Sequence, residues 1–457
     1  MDTTSELMKF VCKTRFEDLP LDVIDRAKMR ILDTLGGIIF SADLPWSQIT
    51  SSLMQELKSQ GKSTIVRNGA KTSAPAAALI NGTMGHGFEL DDVHEGAQSH
   101  PGGVVIPAAL SVGEQESVDG RKFLLAVIMG YEVMCRVGMG VGAKAHMVKG
   151  FHPTGTSGNY GATAAAGKIL GLSEAQLIDA MGICGSTCSG IMQFTQDSTG
   201  GGEMIKRLHA GWAAQSGVLA ALLAQRGFRG PCDIVGGKYG FCRVFSDRPE
   251  IDLTNQGLGT VYEIMNVGTK PYPCCTTMHS TVDGIAKLRD EFGLKWDEID
   301  EIRVGGSEKL VAFSSIYEID SAMAGQYSIP YVVALTLVGD IKDPKNFKKI
   351  SDDEQGRKLR ELVGRTKLYV DEELDGLFPK IEGAKIAIRL KSGRSVSTRV
   401  LQAKGNPNNP LSPEEICEKF SIVTGDKVAQ EKRQWIIDTV RQLEMVPNIA
   451  ELTRLLA

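Results

Sequence analysis

The sequence predicts a mainly α protein, in which a large all-helical domain is built from both chain ends and a smaller α+β domain carries an antiparallel sheet. Apolar residues recur at helical spacing through most of residues 1–267, and this spacing returns near the end of the chain. Segments that alternate like strands appear only after Gly257. We therefore assign residues 1–267 and 405–457 to the large domain and residues 268–404 to a small lid domain.

The helical part begins with a helix predicted from Leu21 to Ile39, where apolar side chains repeat every three or four residues. Comparable patterns predict six further helices, at about residues 75–90, 103–118, 120–139, 157–171, 173–190 and 204–227. Many of them carry Ala and Gly on the packing face. Because small side chains let helices approach closely, we expect a dense helical core.

The small domain is predicted from alternating segments. Two of these form a β-hairpin, since residues 384–390 and 395–400 flank a Lys-Ser-Gly-Arg turn. Further strands are predicted at 260–267 and 298–304, with helices at about 276–292, 321–338 and 351–364.

The final helices follow a turn-rich segment. Ser412 and Glu415 have the spacing of a capping box, so a helix should begin there. We expect the helices that follow, with residues such as Trp435 and Ile436, to pack on the large domain, because their apolar faces need a partner.

Composition excludes several classes of function. A net charge of −4 and a pI near 6.1 provide no basic surface for nucleic acid or a membrane. The polar N-terminus does not resemble a signal peptide, and the longest apolar stretches look too short for the roughly 20 residues that span a bilayer. Nine scattered cysteines indicate reduced thiols. We therefore expect a cytoplasmic protein.

Residues 81–101 concentrate titratable groups in a glycine-rich segment. They include three of the seven histidines and four carboxylates, namely His86, His94, His100, Glu89, Asp91, Asp92 and Glu95. Such density favours acid/base chemistry or metal binding, and a solvated loop with capping histidines is the alternative.

Four polar motifs each precede a predicted helix. They contain His100-Pro-Gly, Phe151-His-Pro-Thr-Gly, the segment from Gly200 to His209, and Lys270-Pro-Tyr-Pro-Cys-Cys. A helix N-terminus offers unpaired N–H groups and partial positive charge, and here each is accompanied by a His or Lys. This combination predicts a pocket for small polycarboxylates, although Pro, Thr and Gly also begin helices for purely structural reasons.

Other motifs point to no cofactor. Gly138 to Ala143 matches a loose dinucleotide pattern but follows a helix, and Gly200 to Gly202 lacks the ending of a phosphate loop. Cysteines at 184, 188, 274 and 275 could suggest zinc or an iron–sulfur cluster. The first two lie in an apolar helix where buried cysteine is common, and adjacent cysteines rarely ligate together, so no metal is predicted.

The motifs together resemble the MmgE/PrpD family, which includes 2-methylcitrate dehydratases, cis-aconitate decarboxylases and an iminodisuccinate epimerase. The resemblance covers nearly the whole chain. It is carried by Ala78-Leu-Ile-Asn-Gly-Thr, Asp91-Asp92 with His100-Pro, Gly150-Phe-His-Pro, Lys206-Arg-Leu-His-Ala-Gly, Leu222-Leu-Ala-Gln-Arg-Gly-Phe, Lys270-Pro-Tyr-Pro-Cys-Cys with His279, Ser328-Ile-Pro-Tyr, and Gly405-Asn-Pro-Asn-Asn-Pro. The family's helical domain and lid agree with the periodicity. The resemblance also implies a homodimer that needs no cofactor.

The resemblance implies a set of site residues. The catalytic candidates are Asp91, Asp92, His100, His152 and Tyr331, and the substrate-binding candidates are Lys206, His209, Lys270 and Tyr272. The chain departs from the decarboxylase branch in its central loop. An extra residue separates Asp92 from His100, Val93 replaces Thr, and Glu89 replaces Asp.

The chemistry common to the family removes or relocates a proton or CO₂ next to a carboxylate. Without a cofactor, the developing charge must be spread over fixed cations and N–H donors, and Lys206 and Lys270 suit that role. We expect a 2-methylcitrate dehydratase-like lyase acting on a small di- or tricarboxylate. The alternatives are an isomerase or epimerase, a decarboxylase, an iron–sulfur hydro-lyase and a non-catalytic scaffold.

Two histidines are candidates for moving the proton. His152 precedes a helix, whose partial positive charge favours neutral imidazole, whereas His100 lies near Asp91 and Asp92, which favour imidazolium. We expect His152 to be the base and His100 the acid, with Asp92 orienting an imidazole or serving as acid and Tyr331 protonating a leaving hydroxyl. The alternative is that His152 only hydrogen-bonds a substrate carboxylate. We also expect the site to lie in a cleft between the two domains.

Overall fold

The computed structural model describes residues 2–196, 201–378 and 380–457, and the mainly α fold is confirmed. Two compact units form, one from Met1–Gly268 with Pro413–Ala457 and the other from Thr269–Ser412. The second boundary lies at 412/413 instead of 404/405. The reason is that residues after 404 remain hydrogen-bonded within the second unit, where the amide of Thr269 donates to the carbonyl of Gly405.

The first unit is built from helices. Those preceding the second unit are α1 (Thr3–Lys13), α2 (Leu21–Ser41), α3 (Pro45–Glu56), α4 (Ala74–Gly85), α5 (Gly102–Gln115), α6 (Gly120–Gly140), α7 (Ala143–Val148), α8 (Pro153–Leu170), α9 (Glu174–Thr187), α10 (Gly201–Gln225) and α11 (Phe241–Val244). Two short antiparallel ladders accompany them, β1 (Ser63–Thr64) with β2 (Lys71–Thr72) and β3 (Val93–His94) with β4 (Val267–Gly268). The unit is thus helical except for these ladders.

The second unit combines helices with one sheet. Its helices are α12 (His279–Phe292), α13 (Glu308–Ser314), α14 (Ala322–Gln326), α15 (Ile329–Val338), α16 (Glu354–Arg365) and α17 (Glu372–Leu377). Its strands are β5 (Ile299–Gly306), β6 (Thr366–Val370), β7 (Ala384–Leu390) and β8 (Ser395–Val400), in the order β6-β5-β7-β8. The predicted hairpin is present as β7 and β8.

The sheet of the second unit is antiparallel along β5-β7-β8, as predicted, and gains one parallel edge strand. β5 and β6 are parallel, and β6 was not predicted at all. The chain between them includes α13 to α16, which provides the long crossover connection that a parallel pair requires. The helix predicted at 321–338 is divided because Ser328 caps a new helix with Pro330 in its first turn.

The prediction of a strand at 260–267 is wrong. Glu263–Asn266 forms a 3-10 turn, and only Val267–Gly268 pairs as β4. The backbone amide of Glu263 donates to the Glu132 carboxylate instead of joining a ladder. A buried side chain on α6 therefore overrides the alternating pattern.

The first unit is completed by three C-terminal helices, α18 (Pro413–Thr424), α19 (Gln430–Arg441) and α20 (Ala450–Leu456). α18 and α19 pack on α2, as expected. Ile436 is fully buried, but Trp435 remains half exposed, so only the former contributes to this packing as predicted.

From the sequence, no apolar segment long enough to span a bilayer was expected, and the long helix α6 corrects this expectation. By length and composition it could cross a membrane, since it has 21 residues and a mean hydropathy of 1.5 in its most apolar window. Within the first unit, however, 94% of that window is buried. Burial on all sides explains its composition as that of a core helix.

Helix α10 packs closely against α4 and α8. Two glycines permit the approach. A Cβ at Gly211 would lie 2.3 Å from the carbonyl oxygen of Leu79, and a Cβ at Gly217 would lie 2.4 Å from the Cβ of Ala162. These contacts fix the position of the residues that α10 contributes to the site.

Candidate active site

The loop between α4 and α5, residues 86–101, is held on several sides. β3 within it pairs with β4, and the Nε2 atom of His94 lies 3.1 Å from the Glu263 carboxylate. From α18, Lys419 donates to the carbonyl of Leu90 at 2.8 Å and to Asp33 at 2.6 Å. Buried anchors of this kind fix the backbone on which the acidic residues lie.

Asp92 anchors the start of α5. One carboxylate oxygen accepts from the amide of Gly102 at 2.9 Å, and the other accepts from the hydroxyl of Tyr131 at 2.7 Å. Burial raises the pKa of Asp92 to about 6. The side chain therefore binds a helix N-terminus, while its backbone carbonyl lies 2.7 Å from Nδ1 of His100.

Asp91 is the carboxylate that contacts imidazoles. Its Oδ2 atom lies 2.5 Å from Nδ1 of His86 and 3.3 Å from Nδ1 of His100. Asp91 and His86 are both buried. Asp92 was expected to orient an imidazole. In the structure it is the Asp91 side chain that contacts the imidazole rings.

Four imidazoles lie together beside these carboxylates. The ring of His86 has its centroid 5.1 Å from that of His100 and 5.8 Å from that of His152. His152 in turn lies 5.1 Å from His209, with the two Nδ1 atoms 2.9 Å apart. Phe194 covers the last two rings with edge contacts.

Burial favours the neutral form of three of these imidazoles, those of His86, His152 and His209. It lowers the pKa of His86, lowers that of His152 well below its ordinary value, and lowers that of His209 to about 4. In the His152–His209 pair only one nitrogen can carry the shared hydrogen, so the other accepts it. Neutral imidazoles at physiological pH can act as bases.

The cations of the site come from α10. Lys206 forms a buried ion pair with Glu89, and NH1 of Arg207 lies 3.1 Å from the same carboxylate oxygen. All three side chains are buried. Two positive charges therefore share one carboxylate in a water-poor environment, where electrostatic interactions are strong.

Three of the four motifs expected at helix N-termini lie where helices begin, at α5, α8 and α10. His100 lies two residues before α5, and His152 is the N-cap of α8. Lys206 and His209 lie further inside α10, and Gly200 is outside the described residues. Lys270 precedes α12 by nine residues, because a turn and a short 3-10 helix intervene.

The remaining candidates belong to the second unit. Lys270 is buried there. The Tyr272 hydroxyl donates to Asp283 at 2.7 Å, and the Tyr331 hydroxyl donates to the carbonyl of Asn346 at 2.5 Å. The proton that Tyr331 was expected to give to a leaving group is therefore engaged by the backbone.

The first unit thus brings together Asp91, His100, His152, Lys206 and His209. Sequence reasoning did not select three of their neighbours, His86, Glu89 and Arg207. His86 and Glu89 lie in the histidine-rich segment that was singled out, and Arg207 adjoins Lys206. The five-residue separation of His86 from Asp91, across the end of a helix, was the available signal.

Cysteines do not contribute to this cluster. Cys184 and Cys188 donate to backbone carbonyls near the end of α9, and burial raises the pKa of Cys188 to about 12. A protonated thiol is a poor metal ligand. Across the described ranges, no three His, Cys, Asp or Glu side chains are arranged to hold a metal ion.

Comparison with known proteins identifies similarity over almost the whole chain. The model of the MmgE/PrpD N-terminal domain matches residues 5–254, and that of the MmgE/PrpD C-terminal domain matches residues 272–444.

Similar curated proteins are named as decarboxylases or decarboxylase-like. The cis-aconitate decarboxylase-like protein oryM of Aspergillus oryzae is 27% identical over 100% of this chain and 97% of its own length. The cis-aconitate decarboxylase of Aspergillus terreus is 27% identical over 99% of this chain and 95% of its own length. The cis-aconitate decarboxylase of Homo sapiens is 28% identical, over 95% and 90% respectively.

Proposed function

Because the chain belongs to the MmgE/PrpD family, we propose that it is a cofactor-independent lyase that breaks a bond next to a carboxylate in a small tricarboxylate. The observation that carries this proposal is the cluster of buried imidazoles beside the Lys206–Glu89 ion pair. Acid/base groups and fixed cations are what such a reaction needs when no metal stabilises the charge.

Proton transfer is assigned to two imidazoles. His152 is buried and neutral, which suits a base that removes an α-proton. His100 lies beside the Asp91 carboxylate, which favours imidazolium and suits an acid that returns a proton to carbon or to a leaving hydroxyl. Tyr331 is left out of this assignment because its hydroxyl donates to a backbone carbonyl.

Charge stabilisation is assigned to α10. Loss of a proton or of CO₂ leaves an electron pair that delocalises into an adjacent carboxylate, whose oxygens then carry more negative charge. Lys206 can stabilise that charge. Glu89 holds the ammonium group in place, and Arg207 in turn binds the Glu89 carboxylate. From the resemblance, Lys270 supplies a second cation and Tyr272 a further substrate contact.

Decarboxylation of cis-aconitate is the first reaction to test, because the relatives carry that name. Dehydration of 2-methylcitrate is the second reaction to test, because the central loop departs from the decarboxylase branch. Val93 and Glu89 replace the Thr and Asp of the decarboxylase branch, and Glu89 contacts Lys206. Epimerisation of a related dicarboxylate requires the same α-proton abstraction and is the third.

The test incubates purified protein with cis-aconitate, 2-methylcitrate and a panel of dicarboxylates in D₂O. Proton NMR follows product formation and loss of α-proton signals, and evolved CO₂ is measured in parallel. Turnover of one tricarboxylate would support the proposal. The proposal fails if neither turnover nor exchange above the buffer rate occurs with any acid while the protein is folded.

A homodimer is proposed from the resemblance and is supported by the outer face of α10. Large apolar side chains are exposed along it, namely Met204, Ile205, Trp212, Leu219 and Leu223. We call these five residues the α10 stripe. An exposed apolar strip on a helix is a typical association surface, and a second copy of the chain could cover it. A cytoplasmic location is proposed from composition alone.

A further inference from the structure

We propose that His86 is a positioning residue, which holds the Asp91 carboxylate between itself and His100 and so fixes the nitrogen through which His100 transfers a proton. No role for His86 follows from the family motifs quoted above. The inference begins from one oxygen atom, Oδ2 of Asp91, which is approached by both Nδ1 atoms. Its role in turnover rests on the proposed function.

The tautomer of His100 follows from its neighbours. Nδ1 lies 2.7 Å from the backbone carbonyl of Asp92, and a carbonyl oxygen can only accept a hydrogen bond. Nδ1 of His100 must therefore carry a hydrogen, and the Asp91 carboxylate at 3.3 Å favours the same arrangement. In the neutral ring the lone pair is then on Nε2, which becomes the nitrogen that accepts and returns a proton.

His86 contributes a hydrogen bond without a charge. An ionised Asp91 can only accept, so Nδ1 of His86, 2.5 Å away, donates to it. Nε2 of His86 is buried and has no hydrogen-bond partner among the described residues. A protonated His86 would bury a second N–H group without an acceptor, which is costly. Lys206 and Arg207 also disfavour a positive charge on this ring.

The Asp91 carboxylate is therefore shared by two imidazoles, whose Nδ1 atoms both approach Oδ2. Asp91 and the imidazoles of His86 and His152 are charged or titratable groups close to His100. A carboxylate oxygen that already accepts a hydrogen bond from His86 stabilises the positive charge of a protonated His100 ring less strongly. His86 thus lowers the proton affinity of His100, so that the ring can release a proton. Asp91 raises that affinity, so that the ring can also accept one.

Two substitutions should move the His100 titration in opposite directions. In His86→Leu the carboxylate loses its competing donor, so the midpoint of His100 should rise by about one pH unit. In Asp91→Asn the negative charge is lost, so the midpoint should fall by about one unit or more. His86→Asn keeps an N–H donor near Asp91 and should remain close to wild type.

The measurement is a pH titration of the seven histidines by long-range ¹⁵N–¹H NMR on histidine-labelled full-length protein without substrate. His100→Gln assigns the resonance, and circular dichroism verifies that each variant is folded. An unchanged or lowered His100 midpoint in His86→Leu would overturn the proposal. If His86→Leu does not fold, His86→Ala removes the donor instead and should raise the His100 midpoint in the same way. A wild-type His100 whose neutral ring carries its hydrogen on Nε2 would also overturn the proposal.

The catalytic part is tested separately on the substrate identified above. The acidic limb of kcat/KM should move with the His100 midpoint in each variant, and kcat should fall about 10-fold or more in Asp91→Asn while KM changes less. A merely structural His86 would lower stability and leave this limb in place. Absence of turnover on every acid, with the NMR shifts as expected, would contradict the proposed function and leave the positioning role intact.

Discussion

At the scale of single residues, burial decides the chemistry that each ionisable group can perform. His152 and His209 lie on elements far apart in sequence, yet their rings contact each other and lose most of their access to water. The neutral form of an imidazole then persists at pH values where a solvated histidine would be charged. Lys206 and Glu89 are likewise buried, and there they form an ion pair.

His152→Gln tests the identity of the base. Glutamine can hydrogen-bond but cannot take a proton, so α-proton exchange in D₂O should fall by about 100-fold or more if His152 is the base. NMR of the substrate measures the exchange rate. Exchange within a few fold of wild type, together with weaker binding, would leave His152 as a substrate ligand and move the base assignment to His100.

Lys206→Ala tests the charge on α10. Removing a cation from a largely desolvated site should cost about 2–4 kcal/mol of transition-state stabilisation, measured as the loss in kcat/KM. Lys270→Ala should cost a similar amount if the resemblance assigns it correctly. Lys144→Ala removes an exposed lysine and serves as the control. Near-wild-type turnover in either site variant would contradict that cation's assignment.

Asp92→Asn tests the buried carboxylate at α5. Because the folded pKa of about 6 exceeds the ordinary aspartate pKa of 3.8, the native state binds more protons than the unfolded state between these pH values. Stability contributed by Asp92 is therefore present below about pH 4 and lost as pH rises to about 6. Asparagine cannot ionise, so the variant lacks this loss. The free energy of unfolding of Asp92→Asn minus that of the wild type should therefore increase by about 2 kcal/mol from pH 4 to pH 7. Denaturant titrations at both pH values measure this, and a constant difference would contradict it.

At the scale of elements, close helix packing places the site. α10 carries Lys206, Arg207 and His209, and its approach to α4 depends on Gly211. α4 ends at Gly85, and the site loop begins at once with His86. A shift of α10 along α4 would therefore separate the ion pair of Lys206 with Glu89.

Gly211→Ala tests this dependence. The added Cβ would lie 2.3 Å from a backbone carbonyl oxygen, so the helices must move apart, and stability should fall by about 2–3 kcal/mol. Activity should fall with it. Gly37→Ala is the matched control on α2, since its Cβ would meet no atom closer than 3.9 Å and alanine favours helix. Equal stability of the two variants in thermal unfolding would show that the close approach is not required.

At the scale of the whole molecule, α10 contributes both to the site and to the surface of the first unit. It supplies Lys206, Arg207 and His209 to the site, and its exposed apolar side chains form the α10 stripe. If the stripe is a dimer interface, association would support the same helix that holds Lys206. The oligomeric state and the activity would then be linked through one element.

Trp212→Glu with Leu219→Glu tests the proposed dimer. Two buried charges of the same sign facing their symmetry mates should shift the protein to monomer, measured by light scattering after size-exclusion chromatography. Val148→Glu alters another strongly exposed apolar residue outside the stripe and should leave the mass unchanged. A wild-type monomer at micromolar concentration, or a dimer in the double variant, would contradict this interface.

The sequence by itself determined the helical class, the hairpin of β7 and β8, and the segment in which the acidic and histidine residues concentrate. Those features depend on local periodicity and turn chemistry, which are visible along the chain. His100 and His152 could be found in this way because each precedes a helix.

Only the tertiary structure decided which groups meet. Burial, which sets the imidazole pKa values, and the distance from His86 to His100 through Asp91 depend on contacts between distant segments. The absence of the strand predicted at 260–267 also depends on a distant contact, because the amide of Glu263 donates to the Glu132 carboxylate on α6. The parallel pairing of β5 and β6 likewise depends on a crossover, because long-range hydrogen bonding leaves no periodic trace in the sequence.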